Sequence, residues 1–192
     1  LQNILSIVSE GLINNNPIIN HSFVWLEFPF LIEQGQQALR QKNWVAVIAI
    51  YHKIALIAQL LGHKDWPIYM EQAATFAAQN QDVLKAAHII QRLNPKLAKK
   101  YLREHVDLLF DKANIQMEQN QYTVAAHIYE TAGNWAKLEI NDDELMKIAY
   151  RQSIIAWIQA AEIQNAFPLI EKFSHIDMIS ILEEMTEHIA QL

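Results

Sequence analysis

The pentapeptide AAHII at residues 86–90 returns as AAHIY at 125–129, thirty-nine positions on, and this recurrence constrains the fold more than any other feature of the chain. Aligning at that spacing pairs NQDVLKAAHIIQRLN (80–94) with QNQYTVAAHIYETAG (119–133), so that Val83 matches Tyr122 and Ile90 matches Tyr129. One step back lies QKNWVAVIAIYHKIA (41–55), where Trp44 and Tyr51 fill the same two places behind the polar turn QKN. A looser fourth copy is IQNAFPLIEKF (163–173), with Asn165, Ala166 and Phe173 in the turn, first-contact and aromatic places at a spacing of 44 from the third. A period of about 20 to 50 residues marks stacked arrays, in which each unit hides its apolar face against its neighbours.

Each unit reads as a helical hairpin. Along residues 94–120, Leu97, Tyr101, Leu108 and Ile115 recur at helical spacing on one side. Pro95 falls in the first turn, where the missing N–H costs nothing. The next helix begins near Tyr122, and Ala125 and Ala126 predict a close approach to a neighbour, with Gly133 as its stop. Asp142 and Asp143 are candidate caps for the helix over 141–164. Pro29 is expected to end one short turn and start the helix that feeds the first repeat. Trp44, Tyr51, Tyr122 and Tyr129 are expected to pack between helices. The predicted fold is all-α, an α-solenoid of antiparallel helix pairs forming one domain over 1–192. Within it, residues 1–22 are an N-terminal capping helix, 23–175 about four hairpins, and 176–192 a C-terminal capping helix with an acidic outer face.

Composition agrees. Only four glycines and five prolines punctuate 192 residues, and 52% hydrophobic content supplies a core. With no cysteine, disulfides and thiol chemistry are excluded, and a metal site would have to use His and carboxylates. Residues 44–62 are long enough to span a bilayer, but His52 and Lys53 at the centre favour a helix buried between neighbours. The first residues show neither a basic leader nor a small-residue cleavage site, so the expected location is cytoplasmic, or a host cytoplasm if the chain is a bacterial effector. Net charge is −6, divided unevenly: residues 1–100 hold nine Lys/Arg against six Asp/Glu, and residues 101–192 six against fifteen. A general nucleic-acid binder needs a broad basic surface, which this balance does not provide.

The segments EQNQYTVAAHIYETAG and RQKNWVAVIAIYHKIALIAQLLGH resemble the turn and second helix of tetratricopeptide repeats. The order LLFDKANIQMEQNQYTVAAHIYETAG through AYRQSIIAWIQAAEIQNAFPLIEKF is similar to the carboxyl-terminal half of a soluble NSF attachment protein, over about residues 27–175. The resemblance implies a curved, right-handed helical array that binds other proteins in vesicle trafficking, and the bias toward Asn, Gln, Ile and His suits a bacterial protein imitating such a module. The period of about 39 departs from the usual 34 of the repeat class, and no partner-contacting residue carries over position by position.

Chemistry-bearing motifs are scarce. Gly11, Gly35, Gly62 and Gly133 stand alone, so no phosphate-cradling loop is present, and no Gly-x-Ser-x-Gly elbow occurs. His88 and His127 are repeat equivalents beside the Ala-rich face, read as partly buried, hydrogen-bonded imidazoles or as a line along a groove. Glu184 and His188 share a helix face, which is half a metal site. His63, Lys64 and Asp65 mark a turn before Trp66, and Glu104, His105 and Asp107 fall on different sides of one helix. No catalytic, cofactor or metal residue is assigned, and the chain is not expected to be an enzyme; a metal-dependent enzyme resting on the histidines is a minor alternative.

Two surface features invite a partner. Lys96, Lys99, Lys100 and Arg103 follow i, i+3, i+4, i+7, a basic stripe that is either a solvated face or a dock for an acidic peptide, helix or lipid headgroup. Phe23, Trp25, Phe28 and Phe30 crowd around Pro29, either covering the end of the stack or, if exposed, anchoring a partner or a membrane surface. The expected function is that of a non-enzymatic protein-interaction scaffold or adaptor gripping a helix or extended peptide, without nucleic acid. The alternative is a structural, oligomerising segment of a larger trafficking or secretion protein, its acidic residues Asp142, Asp143, Glu144, Glu183, Glu184 and Glu187 meeting a basic partner or another copy head to tail.

Overall fold

Lys42, Gln81 and Asn120 share one unusual backbone state, the left-handed region with φ of 54°, 62° and 59°, and they lie thirty-nine residues apart. Each is the residue just past a helix end, and the same pair of hydrogen bonds closes all three ends. Lys42 N donates to Leu39 O and Asn43 N to Ala38 O; Gln81 N to Ala78 O and Asp82 N to Ala77 O; Asn120 N to Met117 O and Gln121 N to Gln116 O. This is the Schellman closure, which satisfies carbonyls the helix would otherwise orphan. The residue after it opens the next helix: Asn43 and Asp82 accept from Ala46 N and Lys85 N through their side chains. One residue therefore ends one helix and caps the next, and the helices that follow begin at Trp44, Val83 and Tyr122, the equivalent positions of the repeat.

The computed structural model describes residues 17–190, with side chains from Glu27 onward except at positions 175 and 176. The described residues are all-helical: α1 (Pro17–Arg40), α2 (Trp44–Leu60), α3 (Trp66–Gln79), α4 (Val83–Ile90), α5 (Pro95–Glu118), α6 (Tyr122–Trp135), α7 (Asp143–Gln159), α8 (Phe167–Ile170) and α9 (His175–Ala190). A π-helical turn at Ala136–Ile140 follows α6 and a 3₁₀ turn at Ile163–Asn165 precedes α8. None of the described helices is long and apolar enough to cross a membrane. The chain clusters in two compact units divided between Ala98 and Lys99.

In the first unit, α2 packs on α1 and α3, and α3 on α4. Alanines at 55, 58, 73, 74, 77, 86 and 87 are buried, so the backbones come close. Phe28, Leu31, Ile54 and Ala58 form an apolar cluster with Trp66 and Tyr69 packed on it. Phe76 receives the rings of Trp44 and Tyr51 at centroid distances of 6.4 and 5.0 Å. Pro29 lies inside α1, not at a break: a proline in a helix interior forfeits one hydrogen bond, and the burial of Phe28 and Leu31 on either side holds the helix regardless.

In the second unit, α7 is the central element, packed on α6, α8 and α9. Met146, Tyr150, Ile154, Trp157 and Ile158 are buried against Ala125, Ala126 and Tyr129 of α6 and Leu169, Phe173, Ile181 and Met185 beyond α7. Ser153, fully buried, donates to the carbonyl of Ala126 at 2.8 Å, which satisfies the hydroxyl. Gly133 does not end α6, which runs on to Trp135; the glycine is there because the ring of Tyr150 occupies the place a Cβ would take. Asp142 caps α7 as predicted, accepting from Leu145 N at 3.1 Å. After α7 the left-handed turn recurs at Ala161, with Ala161 N on Ile158 O and Glu162 N on Trp157 O. The fourth turn therefore lies at 161–162, and Asn165, the predicted turn residue, belongs to the 3₁₀ helix. The π-helical turn lengthens the third interval, which displaced the alignment.

Candidate binding cleft

Helices α2 and α4 both pack on α3, and the gap between them is a cleft of about 380 Å³ in the first unit. From α2 come His52, Leu56 and Gln59, spaced i, i+4, i+7 and so on one face. From α4 and the turn after it come His88, Ile89, Gln91, Arg92 and Leu93, while Trp66 and the buried Met70 of α3 form the floor. None of these described lining residues is acidic, in a chain whose net charge is −6. His52 titrates below its ordinary value, because burial disfavours the imidazolium and the Lys85 ammonium adds repulsion. Lys85, His88 and Arg92 follow i, i+3, i+7, so α4 and its C-terminal turn present a cationic edge beside apolar Leu56 and Ile89. The arrangement can hold an aliphatic side chain against Trp66 and Leu56 while offering Arg92 and His88 to an anion.

The residues singled out in sequence are scattered. Lys96 is exposed in the first turn of α5 and belongs to the first unit; Lys99, Lys100 and Arg103 are exposed in the second. Lys100 lies 3.7 Å from Glu104, and the Arg103 guanidinium donates to Asp142 at 2.5 Å, so half of the stripe is spent on neighbouring carboxylates. Phe28 is 7% exposed, with its ring 5.8 Å from those of His63 and Tyr69, so it packs in the core. Phe23 and Trp25 have side chains outside the described residues, whereas Phe30 is exposed.

His88 and His127 are both exposed, contrary to the expectation of partly buried imidazoles. His88 lines the cleft, and His127 meets the buried Trp157 edge to face at 4.7 Å. His63 and Asp65 form the turn before Trp66, with Asp65 N donating to His63 Nδ1 at 3.2 Å. Among the described residues no three His, Asp or Glu side chains gather where they could hold a metal ion. Sequence reasoning missed His52, Leu56 and Arg92; their helical spacing was visible, but that α2 and α4 face across α3 was not.

The second unit has a smaller recess of about 250 Å³, lined by Thr131, Asn134, Trp135, Leu138 and Glu139 of α6 and the π-helical turn. Helix α9 of this unit presents a second feature. Ile179, Leu182 and Ile189 are 53%, 45% and 44% exposed, and with Thr186 they form a stripe at i, i+3, i+7, i+10, while Ile181 and Met185 are buried on the other side. Ser174 caps the helix, and Lys147 of α7 reaches Asp177 at 3.2 Å.

Compared with known proteins, the chain matches no family model, no curated protein and no solved structure.

Proposed function

We propose that the chain is a non-enzymatic protein-interaction scaffold, a tetratricopeptide-like α-solenoid of antiparallel helix pairs. The observation that carries this reading is the left-handed turn at Lys42, Gln81 and Asn120, closed by the same hydrogen bonds each time. Turns of one geometry at one interval orient successive helices alike, and helices stacked alike leave grooves their own side chains cannot fill. The cleft between α2 and α4 is such a groove, with a floor of Trp66 and Met70 and a cationic edge, suited to a helix or extended segment of a partner. The vesicle-trafficking role implied by the family resemblance adds a class of partner to this reading, and the reading stands without it.

The immobilised chain is used to capture partners from cell extract, beside a Leu56→Glu variant and a variant with Lys96, Lys99, Lys100 and Arg103 all changed to Glu. Loss of a partner from the Leu56→Glu variant alone supports the cleft, and loss from the stripe variant alone moves the binding face to the start of α5. Equal capture by all three sinks both faces.

A further inference from the structure

We propose that the occupant of the cleft is α9 of a second copy of this chain, an inference that rests on the scaffold reading and adds the partner to it. The two features are complementary in charge and in pattern. The cleft carries Arg92, with Lys85 beside His52, and none of its described lining residues is acidic. Helix α9 carries Asp177, Glu183, Glu184 and Glu187 and neither Lys nor Arg. Its exposed stripe of Ile179, Leu182, Thr186 and Ile189 runs along one side, with Glu183 and Glu187 on the flank of that stripe. Laid along the gap between α2 and α4, the stripe meets Leu56, Trp66, Ile89 and Leu93, and the glutamates meet Arg92 and His88. Leu56, Trp66 and Leu93, which water would otherwise reach, are thereby covered, and a carboxylate lands on the Arg92 guanidinium.

Because every copy has one cleft and one α9, the contact joins unlike surfaces and repeats head to tail, giving chains or a ring. A contact built on one helix and a small cleft is at the weak end of interface sizes, so association is expected at tens to hundreds of micromolar, on the order of a transient encounter. Weak pairing of opposite charges also falls with salt.

Sedimentation velocity of the 192-residue chain from about 5 to about 500 μM, at about 0.05 and about 0.5 M salt, reads the association. Two variants separate the surfaces: His88→Glu with Arg92→Glu in the cleft, and Glu183→Lys with Glu187→Lys on α9, each checked for native circular dichroism and melting temperature. The expected result is concentration-dependent growth of the unaltered chain, reduced at least tenfold by salt and lost in each variant alone. Mixing the two variants should restore association, since the intact cleft meets the intact α9 and the reversed cleft meets the reversed α9 with opposite charges. A chain monomeric throughout, or variants that associate as the unaltered chain does, overturns the proposal. If the chain is monomeric but Leu56→Glu still loses a cellular partner, the scaffold reading survives and the second copy does not; if no cleft variant affects either measurement, both fall.

Discussion

The ring of Tyr150 lies where a Cβ at position 133 would be, so α6 and α7 meet through a glycine and the face of a tyrosine. The ring cannot easily leave: it is buried, its hydroxyl donates to Asn134 at 2.7 Å, and Lys172 sits 4.4 Å over its centroid. Gly133→Ala gains about 1 kcal/mol of helix propensity and overpacks the site at a cost of about 1–3 kcal/mol, so the net expected change is a loss of stability. At Gly35 the contact is looser, with Cε2 of the half-buried Tyr51 ring at 2.9 Å, and there the alanine should cost less than at Gly133. Urea unfolding of both variants orders them. A Gly133→Ala protein as stable as the parent means the ring moves aside and the close approach is incidental.

The left-handed turns make a second, graded prediction. A side chain at positive φ is strained by about 1–2 kcal/mol, glycine is not, and asparagine suffers less because its short amide bonds locally. Glycine also loses more freedom on folding, which offsets part of the relief. Lys42→Gly and Gln81→Gly should therefore each raise stability by up to about 1 kcal/mol, and Asn120→Gly by less. Valine at any of the three should destabilise more than any other exposed change nearby. Melting temperatures of the six variants give the order, and a glycine series that destabilises throughout contradicts the shared turn geometry.

The helix starts at Trp44, Val83 and Tyr122 were legible because a polar turn, a bulky apolar residue and an alanine-containing run recur in the same order, and Asp142 was legible as a cap because an aspartate before a helix has few other uses. Pro29 misled because local propensity predicts a break where burial of Phe28 and Leu31 keeps the helix whole. Gly133 misled for the opposite reason: a glycine near the end of an apolar run signals a stop, and only the partner ring reveals that it makes room. The cleft escaped notice because its lining comes from α2, α3 and α4, each with an ordinary pattern, and its chemistry exists only once α2 and α4 flank α3.

Arg103 and Asp142, also thirty-nine residues apart, form a pair whose two members should matter unequally. The arginine side chain is 55% exposed and the aspartate 20%, so the ion pair is largely in solvent and worth at most about 1 kcal/mol. Asp142 additionally caps α7 through Leu145 N, a role worth about 0.5–2 kcal/mol. Arg103→Ala is thus expected to cost little, Asp142→Ala distinctly more, and Asp142→Asn to recover most of the difference because the amide oxygen still caps. A double-mutant cycle between 103 and 142 should return a small coupling that shrinks with salt. Equal losses from the two alanine variants would show that the cap adds nothing.

Titration of His52 gives stability a slope on the acid side. Its pKa in the folded chain is lowered from the ordinary 6.5, chiefly by burial and then by Lys85. Below 6.5 the unfolded chain takes up a proton at this position more readily than the folded one, so the contribution is fully present above that pH and is lost as pH falls towards the lowered folded value. Tyr51, Tyr129 and Tyr150 act in the opposite sense at the alkaline end: burial raises each above 10.0, so their contribution is full below that pH and is lost as pH rises through the folded values. Replacing His52 by Gln keeps a polar side chain of similar reach and removes its titration. Urea midpoints measured from about pH 7.5 down to about pH 5 should therefore fall less steeply in His52→Gln than in the parent, while the two proteins keep the same alkaline limb. Parallel acid limbs would mean that the imidazole is as well solvated in the cleft as in the unfolded chain.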